Sequence, residues 1–243
     1  YGFHGIHGRA LPIAEGIRLA RPDLTVFVNT GDGDCCSIGA AHWIHALRYN
    51  MNMTVFLHDN QIYGLTKKQA SPTSPIGTRS NTTPRGSYLD ALNPLTVSLG
   101  VSNVSFIAQA VDWIPETLFD IVKAAYHHKG FSFVRIIQRC PEWLPALHEQ
   151  DMQNPEHIQL LHHENALEIS PTLAKVYRNQ LHHDPLDIHR AREIASITDK
   201  VPVGILYQNP AVPCYEDTRQ TGVMHTAESV RKGLDYEFDK YSV

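Results

Sequence analysis

Charge of one sign, long apolar runs and paired cysteines are all scarce in this chain. Its 243 residues carry 21 Lys and Arg against 25 Asp and Glu, a formal net charge of -4. Without a basic excess there is no electrostatic footprint for nucleic acid. No apolar run approaches the roughly 20 residues that a bilayer span needs, so no membrane segment is expected. The four cysteines, Cys35, Cys36, Cys140 and Cys214, form neither a C-x-x-C pair nor a zinc spacing. Free thiols and a cytoplasmic location are the default expectation for such a chain. Histidine is plentiful, with adjacent pairs at His127-His128, His162-His163 and His182-His183. Neighbouring residues on a helix point apart, so these pairs read as solvated surface rather than shared-metal sites. The chain opens on Tyr1-Gly2-Phe3-His4 without a methionine and reads as the interior of a longer protein, cut at its N-terminus. It contains no internal repeat.

What is present is an alternation of strand and helix patterns up to about residue 140. A helix is expected over Pro12–Arg21 and a strand over Leu24–Thr30. Ser37–Tyr49 has helical apolar spacing, Met53–Leu57 reads as a strand, Ile114–Tyr126 as a helix and Phe131–Ile137 as a strand. These strands are apolar on both faces, as in a sheet covered by helices on both sides. The expected fold class is α/β: a doubly wound, mostly parallel sheet with helices on both faces, followed by an irregular C-terminal extension. Residues 1–145 are expected to form the ligand-binding domain. Residues 146–243 are expected to pack on it or on a partner subunit, with a short strand at Val203–Tyr207. Residues 61–87, dense in Thr, Ser, Pro and Gly, form a long segment that suggests a lid.

The chemistry concentrates at two strand ends. Gly31-Asp32-Gly33 follows one apolar run and Asp59-Asn60 follows the next. In a doubly wound sheet, ligands bind at the C-terminal strand ends. Oxygen side chains there can share a hard cation, and such a cation holds a diphosphate. Asp32 and Asn60 are therefore the candidate magnesium ligands, completed by the Ile62 carbonyl. The glycines let the backbone approach phosphate closely. This pattern resembles that of thiamine diphosphate enzymes.

The resemblance extends beyond the motif. Gly5-Ile6-His7-Gly8-Arg9-Ala10-Leu11-Pro12, Gly31-Asp32-Gly33-Asp34, Asp59 to Thr66, Gln69 to Thr73, Ser80 to Pro84 and Ile137 to Glu142 are similar to the β subunits of 2-oxoacid:ferredoxin oxidoreductases, in particular the 2-oxoglutarate type. It is strong up to about Pro145 and returns over Val201–Pro210. It implies thiamine diphosphate, Mg2+ and a [4Fe–4S] cluster as cofactors. Gly31, Gly33 and Asp34 would then line the diphosphate, and His7, Gly64, Leu65 and Leu144 would contact the cofactor. Lys68 would meet the substrate carboxylate, as suits a mobile point charge. Cys140 matches the last of the cluster's four thiolates, and the other three are not in this chain.

The activity implied is CoA-dependent oxidative decarboxylation of a 2-oxoacid, 2-oxoglutarate by the resemblance, to acyl-CoA and CO2 with electrons passed to ferredoxin. No carboxylate here is assigned to the catalytic role beside the aminopyrimidine. The resemblance places that group on an α subunit, so a heterodimer with a shared site is expected. The Gly-Asp-Gly to Asn motif alone also fits a non-oxidative thiamine diphosphate enzyme of the decarboxylase or acetolactate synthase type, or a cofactor-binding subunit without turnover.

Overall fold

A computed structural model describes residues 2–219 and 226–241; Tyr1 lies outside the described residues. In chain order the strands are β1 (Phe27–Gly31), β2 (Met53–Asp59), β3 (Ile62–Tyr63), β4 (Gln69–Ala70), β5 (Phe106–Val111), β6 (Phe131–Ile137), β7 (Ile158–His162), β8 (Gln180–His182) and β9 (Val201–Gln208). The helices are α1 (Ala10–Ala20), α2 (Ala40–Tyr49), α3 (Pro94–Leu99), α4 (Pro115–His127), α5 (Glu149–Gln153), α6 (Pro171–Val176), α7 (Ile188–Ala195), α8 (Tyr215–Arg219) and α9 (Ala227–Asp239). None of the helices is long and apolar enough to cross a membrane among the described residues.

Seven strands form one sheet in the order β1-β2-β6-β5-β9-β7-β8, while β3 and β4 make a separate hairpin. β1, β2, β6 and β5 run parallel to their neighbours. β9 pairs antiparallel with β5, and β7 and β8 follow β9 in parallel. Two parallel blocks thus meet at one antiparallel seam. Gly204 makes a close approach possible beside that seam. Its φ is +145°, and a Cβ there would come within 2.7 Å of the Leu161 Cβ on β7.

Alternate residues of β6 feed opposite faces. Phe131 and Phe133 join the core with Trp43, Leu47, Leu95 and Ile194, from α2, α3 and α7. Val134 and Ile136 join the other core with Ile121 and Ala125 of α4. This two-sided burial is why the strand is apolar throughout rather than alternating. Phe133 is fully buried and stacks on Trp43 at 5.5 Å between ring centroids.

The mostly parallel sheet with helices on both faces is as the sequence pattern indicates, and β2, α4 and β6 lie within two residues of their expected limits. Three expectations need correction. β1 starts at Phe27 rather than Leu24, because the Arg18 guanidinium takes the Pro22 and Leu24 carbonyls into a turn. The helix expected from Ser37 is two pieces: a π-helical turn over Asp34–Ile38, then α2 after Gly39. The segment after residue 145 packs on the domain, but it is not irregular: it contributes β7, β8 and β9 to the same sheet. The strand expected at Val203–Tyr207 is the centre of β9, whereas β7 and β8, short and partly polar, carry too little periodicity to be read singly. α3 and β5 also escaped the sequence reading. Gln109 interrupts the apolar run of β5 but is buried, and its amide donates to the Pro202 carbonyl at 2.7 Å.

Phe133→Ala opens a cavity that the flanking helices cannot close. It is expected to destabilise the protein by about 3–5 kcal/mol, read from the midpoint of urea unfolding at unchanged slope.

Candidate functional site

Parallel pairing of β1 and β2 sets Gly31 opposite His58. The residues that follow, Asp32 after β1 and Asn60 after β2, therefore leave the sheet at the same C-terminal edge. Asp32 is 2% exposed. Its Oδ2 accepts the Thr73 hydroxyl at 2.7 Å, and the same hydroxyl lies 2.9 Å from Asp59 Oδ1. The other Asp59 oxygen accepts from Arg135 Nε at 2.7 Å and lies 2.6 Å from a second guanidinium nitrogen. Arg135 in turn donates to Gln109 Oε1 at 3.0 Å.

This arrangement has one cation for two buried carboxylates. Burial first, and the neighbouring Asp59 second, push the Asp32 carboxyl up to about 6. A hydroxyl carries one proton and can donate to only one of its two carboxylate neighbours. With Arg135 paired to Asp59, Asp32 is the carboxyl that holds an extra proton in the cation-free protein below about pH 6. A divalent cation on Asp32 would supply the missing positive charge, so the donor set fits a hard metal ion. Asn60 Oδ1 accepts the Ile62 N–H at 3.1 Å. That bond forms an Asx turn and leaves a lone pair of the amide oxygen available.

The remaining candidates fall into two groups around this edge. In the first, Asp34 accepts from the Gly8 N–H, pairs with His7 Nδ1 at 2.6 Å and accepts from Thr30 Oγ1 at 2.7 Å. Its carboxylate is thus occupied in fixing the His7 loop. The Gly33 carbonyl accepts the Tyr63 hydroxyl at 2.7 Å, and a Cβ at Gly33 would stand 2.2 Å from the Tyr63 ring. Only glycine allows that contact. In the second group, Trp143 Nε1 donates to the Gly64 carbonyl at 2.9 Å, and the Leu144 N–H donates to the Cys140 carbonyl at 3.0 Å. Cys140 is buried beside Gly64, whose added Cβ would lie 3.6 Å from the thiol sulfur. Leu65 is 99% exposed at the hairpin tip. Lys67 and Lys68, beside it, both have φ of +65°.

Sequence reasoning missed Thr73, Arg135 and Gln109, and gave Asp59 no role. A signal existed for Arg135, a lone charge within an otherwise apolar strand. Thr73 gave none: it is one hydroxyl among many in residues 61–87. That segment is not an open flap. It carries the β3–β4 hairpin, and Ser71, Thr73, Ser74 and Ser80 are buried in it. Cys35 and Cys36 are buried at the head of the π-helical turn, and their mutual hydrogen bond and burial push the Cys35 thiol up. Among the histidine pairs, His163 and His182 do converge on Glu164, at 3.5 and 3.3 Å. His163 Nδ1 accepts the Asn165 N–H, which leaves its proton on the nitrogen facing Glu164. His163, Glu164 and His182 thus form one imidazole–carboxylate cluster.

Fold and motif together define the class of thiamine diphosphate-binding α/β domains. The family described as "Thiamine pyrophosphate enzyme, C-terminal TPP binding domain" matches residues 1–136. The family of the C-terminal region of the pyruvate ferredoxin oxidoreductase beta subunit matches residues 173–222. The chain is 36% identical over 216 residues to the 2-oxoacid:ferredoxin oxidoreductase subunit beta of Sulfolobus sp, covering 89% of this chain and 68% of that one. It is 50% identical over 141 residues to the 2-oxoglutarate oxidoreductase subunit KorB of Mycobacterium tuberculosis, covering 58% of this chain and 38% of that one. A solved 2-oxoglutarate:ferredoxin oxidoreductase from Magnetococcus marinus, with 2-oxoglutarate, coenzyme A and succinyl-CoA bound, superimposes with a TM-score of 0.74. That match has 33% identity over 94% of this chain and 73% of the other. The chain belongs to the β subunits of the 2-oxoacid:ferredoxin oxidoreductases, within the thiamine pyrophosphate enzymes.

A pH dependence follows from Asp32. Its folded value lies above its unfolded value, so the folded protein holds the extra proton between about pH 4 and pH 6. The contribution of Asp32 to stability without added cation is expected to be greatest below that window and to fall as pH rises through it. Asp32→Asn removes the contribution. Urea unfolding of both proteins at pH 4 and pH 7, in chelator, should show the wild type losing more stability than the variant.

Proposed function

We propose that this chain is the thiamine diphosphate- and magnesium-binding subunit of a 2-oxoacid:ferredoxin oxidoreductase that acts with an α subunit. The reaction is oxidative decarboxylation: a 2-oxoacid and coenzyme A give acyl-CoA and CO2, and the two electrons released pass to ferredoxin. 2-Oxoglutarate is the proposed substrate, in keeping with the relatives named for it. The observation that carries the reading is the placement of Asp32 and Asn60 at the ends of adjacent parallel strands, with Asp32 buried and short of positive charge.

Asp32, Asn60 and the Ile62 carbonyl are proposed to hold Mg2+. Gly31 and Gly33 let the backbone come close to the diphosphate, while Asp34 keeps His7 beside it through their 2.6 Å contact. Gly64, Leu144 and the exposed Leu65 would support the cofactor. When bound, thiamine diphosphate supplies the nucleophilic carbon and the electron sink that decarboxylation requires. Lys68 meets the carboxylate of the 2-oxoacid. Cys140 provides one thiolate of a [4Fe–4S] cluster whose other ligands lie outside this sequence. The carboxylate that serves the aminopyrimidine comes from the α subunit, so the site is complete only in the heterodimer.

Two measurements test this reading. Asp32→Ala is expected to abolish magnesium-dependent thiamine diphosphate binding in titration calorimetry; an unchanged affinity refutes the metal assignment. The complex with its α subunit is expected to reduce viologen with 2-oxoglutarate and coenzyme A, faster than with pyruvate or branched-chain 2-oxoacids. Failure to reduce the dye with any 2-oxoacid refutes the oxidoreductase reading.

A further inference from the structure

The five residues that join β3 to β4 contain a conformation that their own sequence disfavours. Lys67 and Lys68 are consecutive, are not glycine, and both sit in the left-handed region at φ +65°. L-residues enter that region singly and seldom in succession. Such a pair persists only where its surroundings hold it. The hairpin supplies one restraint, the Lys67 N–H donating to the Gly64 carbonyl at 3.0 Å. The others come from Asn81. Its backbone N–H donates to the Lys68 carbonyl at 2.9 Å, and its side-chain amide donates to the Lys67 carbonyl.

Asn81 is itself held firmly. The preceding Ser80 is buried, and its hydroxyl accepts the Ala70 N–H of β4 at 3.2 Å. Ser80 and Thr83 exchange backbone hydrogen bonds at 3.2 Å, and the Thr83 hydroxyl donates to the Thr78 carbonyl at 2.9 Å. A braced turn therefore carries one amide side chain to the carbonyl between two strained lysines. Neither lysine has an ion-pair partner among the described residues, so their charges are uncommitted.

We propose that Asn81 is a positioning residue: by binding both lysine carbonyls it locks the pair in the left-handed conformation that presents Lys68 to the substrate carboxylate. The presentation step rests on the reading of Lys68 given above; the lock does not. A polar side chain on an exposed turn would ordinarily be replaceable at little cost. Here its loss frees the Lys67 carbonyl and lets the strained pair relax.

The test uses the complex with the α subunit. Asn81→Ala is expected to raise KM for the 2-oxoacid about fivefold, the loss of one hydrogen bond, with kcat within about twofold. It is also expected to speed hydrogen exchange of the amides of residues 64–70. Asn81→Asp keeps the size but lacks the amide donor, and is expected to behave as Asn81→Ala. Adding Lys67→Gly to Asn81→Ala removes the steric strain at the residue whose carbonyl Asn81 held, and is expected to return KM part of the way toward the wild-type value. Unchanged KM and unchanged exchange in Asn81→Ala overturn the proposal, as does a rise in KM that Lys67→Gly leaves in place. Lys68→Ala separates the two readings. If it leaves KM unchanged while Asn81→Ala speeds exchange, the substrate role of Lys68 fails and the lock stands.

Discussion

Arg135 reaches from the middle of β6 to the last residue of β2, where its guanidinium closes on the Asp59 carboxylate at 2.6–2.7 Å. Asp59 is fully buried and Arg135 nearly so. A charge so placed would be expensive without its partner. The pair does more than cancel itself. Asp59 holds Thr73, Thr73 holds Asp32, and Arg135 holds Gln109, whose amide donates to the Pro202 carbonyl of β9. A line of polar groups thus crosses the sheet from β2 through β6 and β5 to β9. It begins at the edge where the cofactor is proposed to bind and ends across the antiparallel seam.

That line explains why two otherwise separate features coexist. The seam joins a four-stranded parallel block to a three-stranded one running the other way. Gln109 satisfies its buried amide across this join, so the polar residue costs β5 little. At the other end, the imbalance of two carboxylates against one guanidinium is left at Asp32. The protein carries an unmet demand for positive charge at the sheet edge, which a divalent cation on Asp32 would meet. Residues 61–87 contribute Thr73 to this balance and, through Asn81, hold the Lys67 carbonyl. The segment is folded, with Ser71, Thr73, Ser74 and Ser80 buried.

Much of this was legible in the residues. The apolar runs before Gly31 and Asp59 place both motif ends at strand termini, and the parallel register of β1 and β2 bears that placement out. The resemblance to the oxidoreductase β subunits also holds. Less legible were the elements whose stability is borrowed. β7 and β8 are short and partly polar, and they persist because β9 seats them on the sheet. α2 had clear periodicity, yet the π-helical turn between β1 and α2 did not, since its five residues are too few to show a period.

Residue type and order by themselves determined the class of sheet, the glycine-flanked acidic turn at its edge and the family. They did so because strand burial and close phosphate approach demand particular side chains at particular spacings. Only the tertiary structure decided which groups share the edge. Thr73 and Arg135 come to Asp32 and Asp59 from distant parts of the chain, and Asn81 comes to Lys67 from across a hairpin. Hydrogen bonds and buried charge depend on distance in space, and spacing along the chain holds no record of that distance until the sheet has formed.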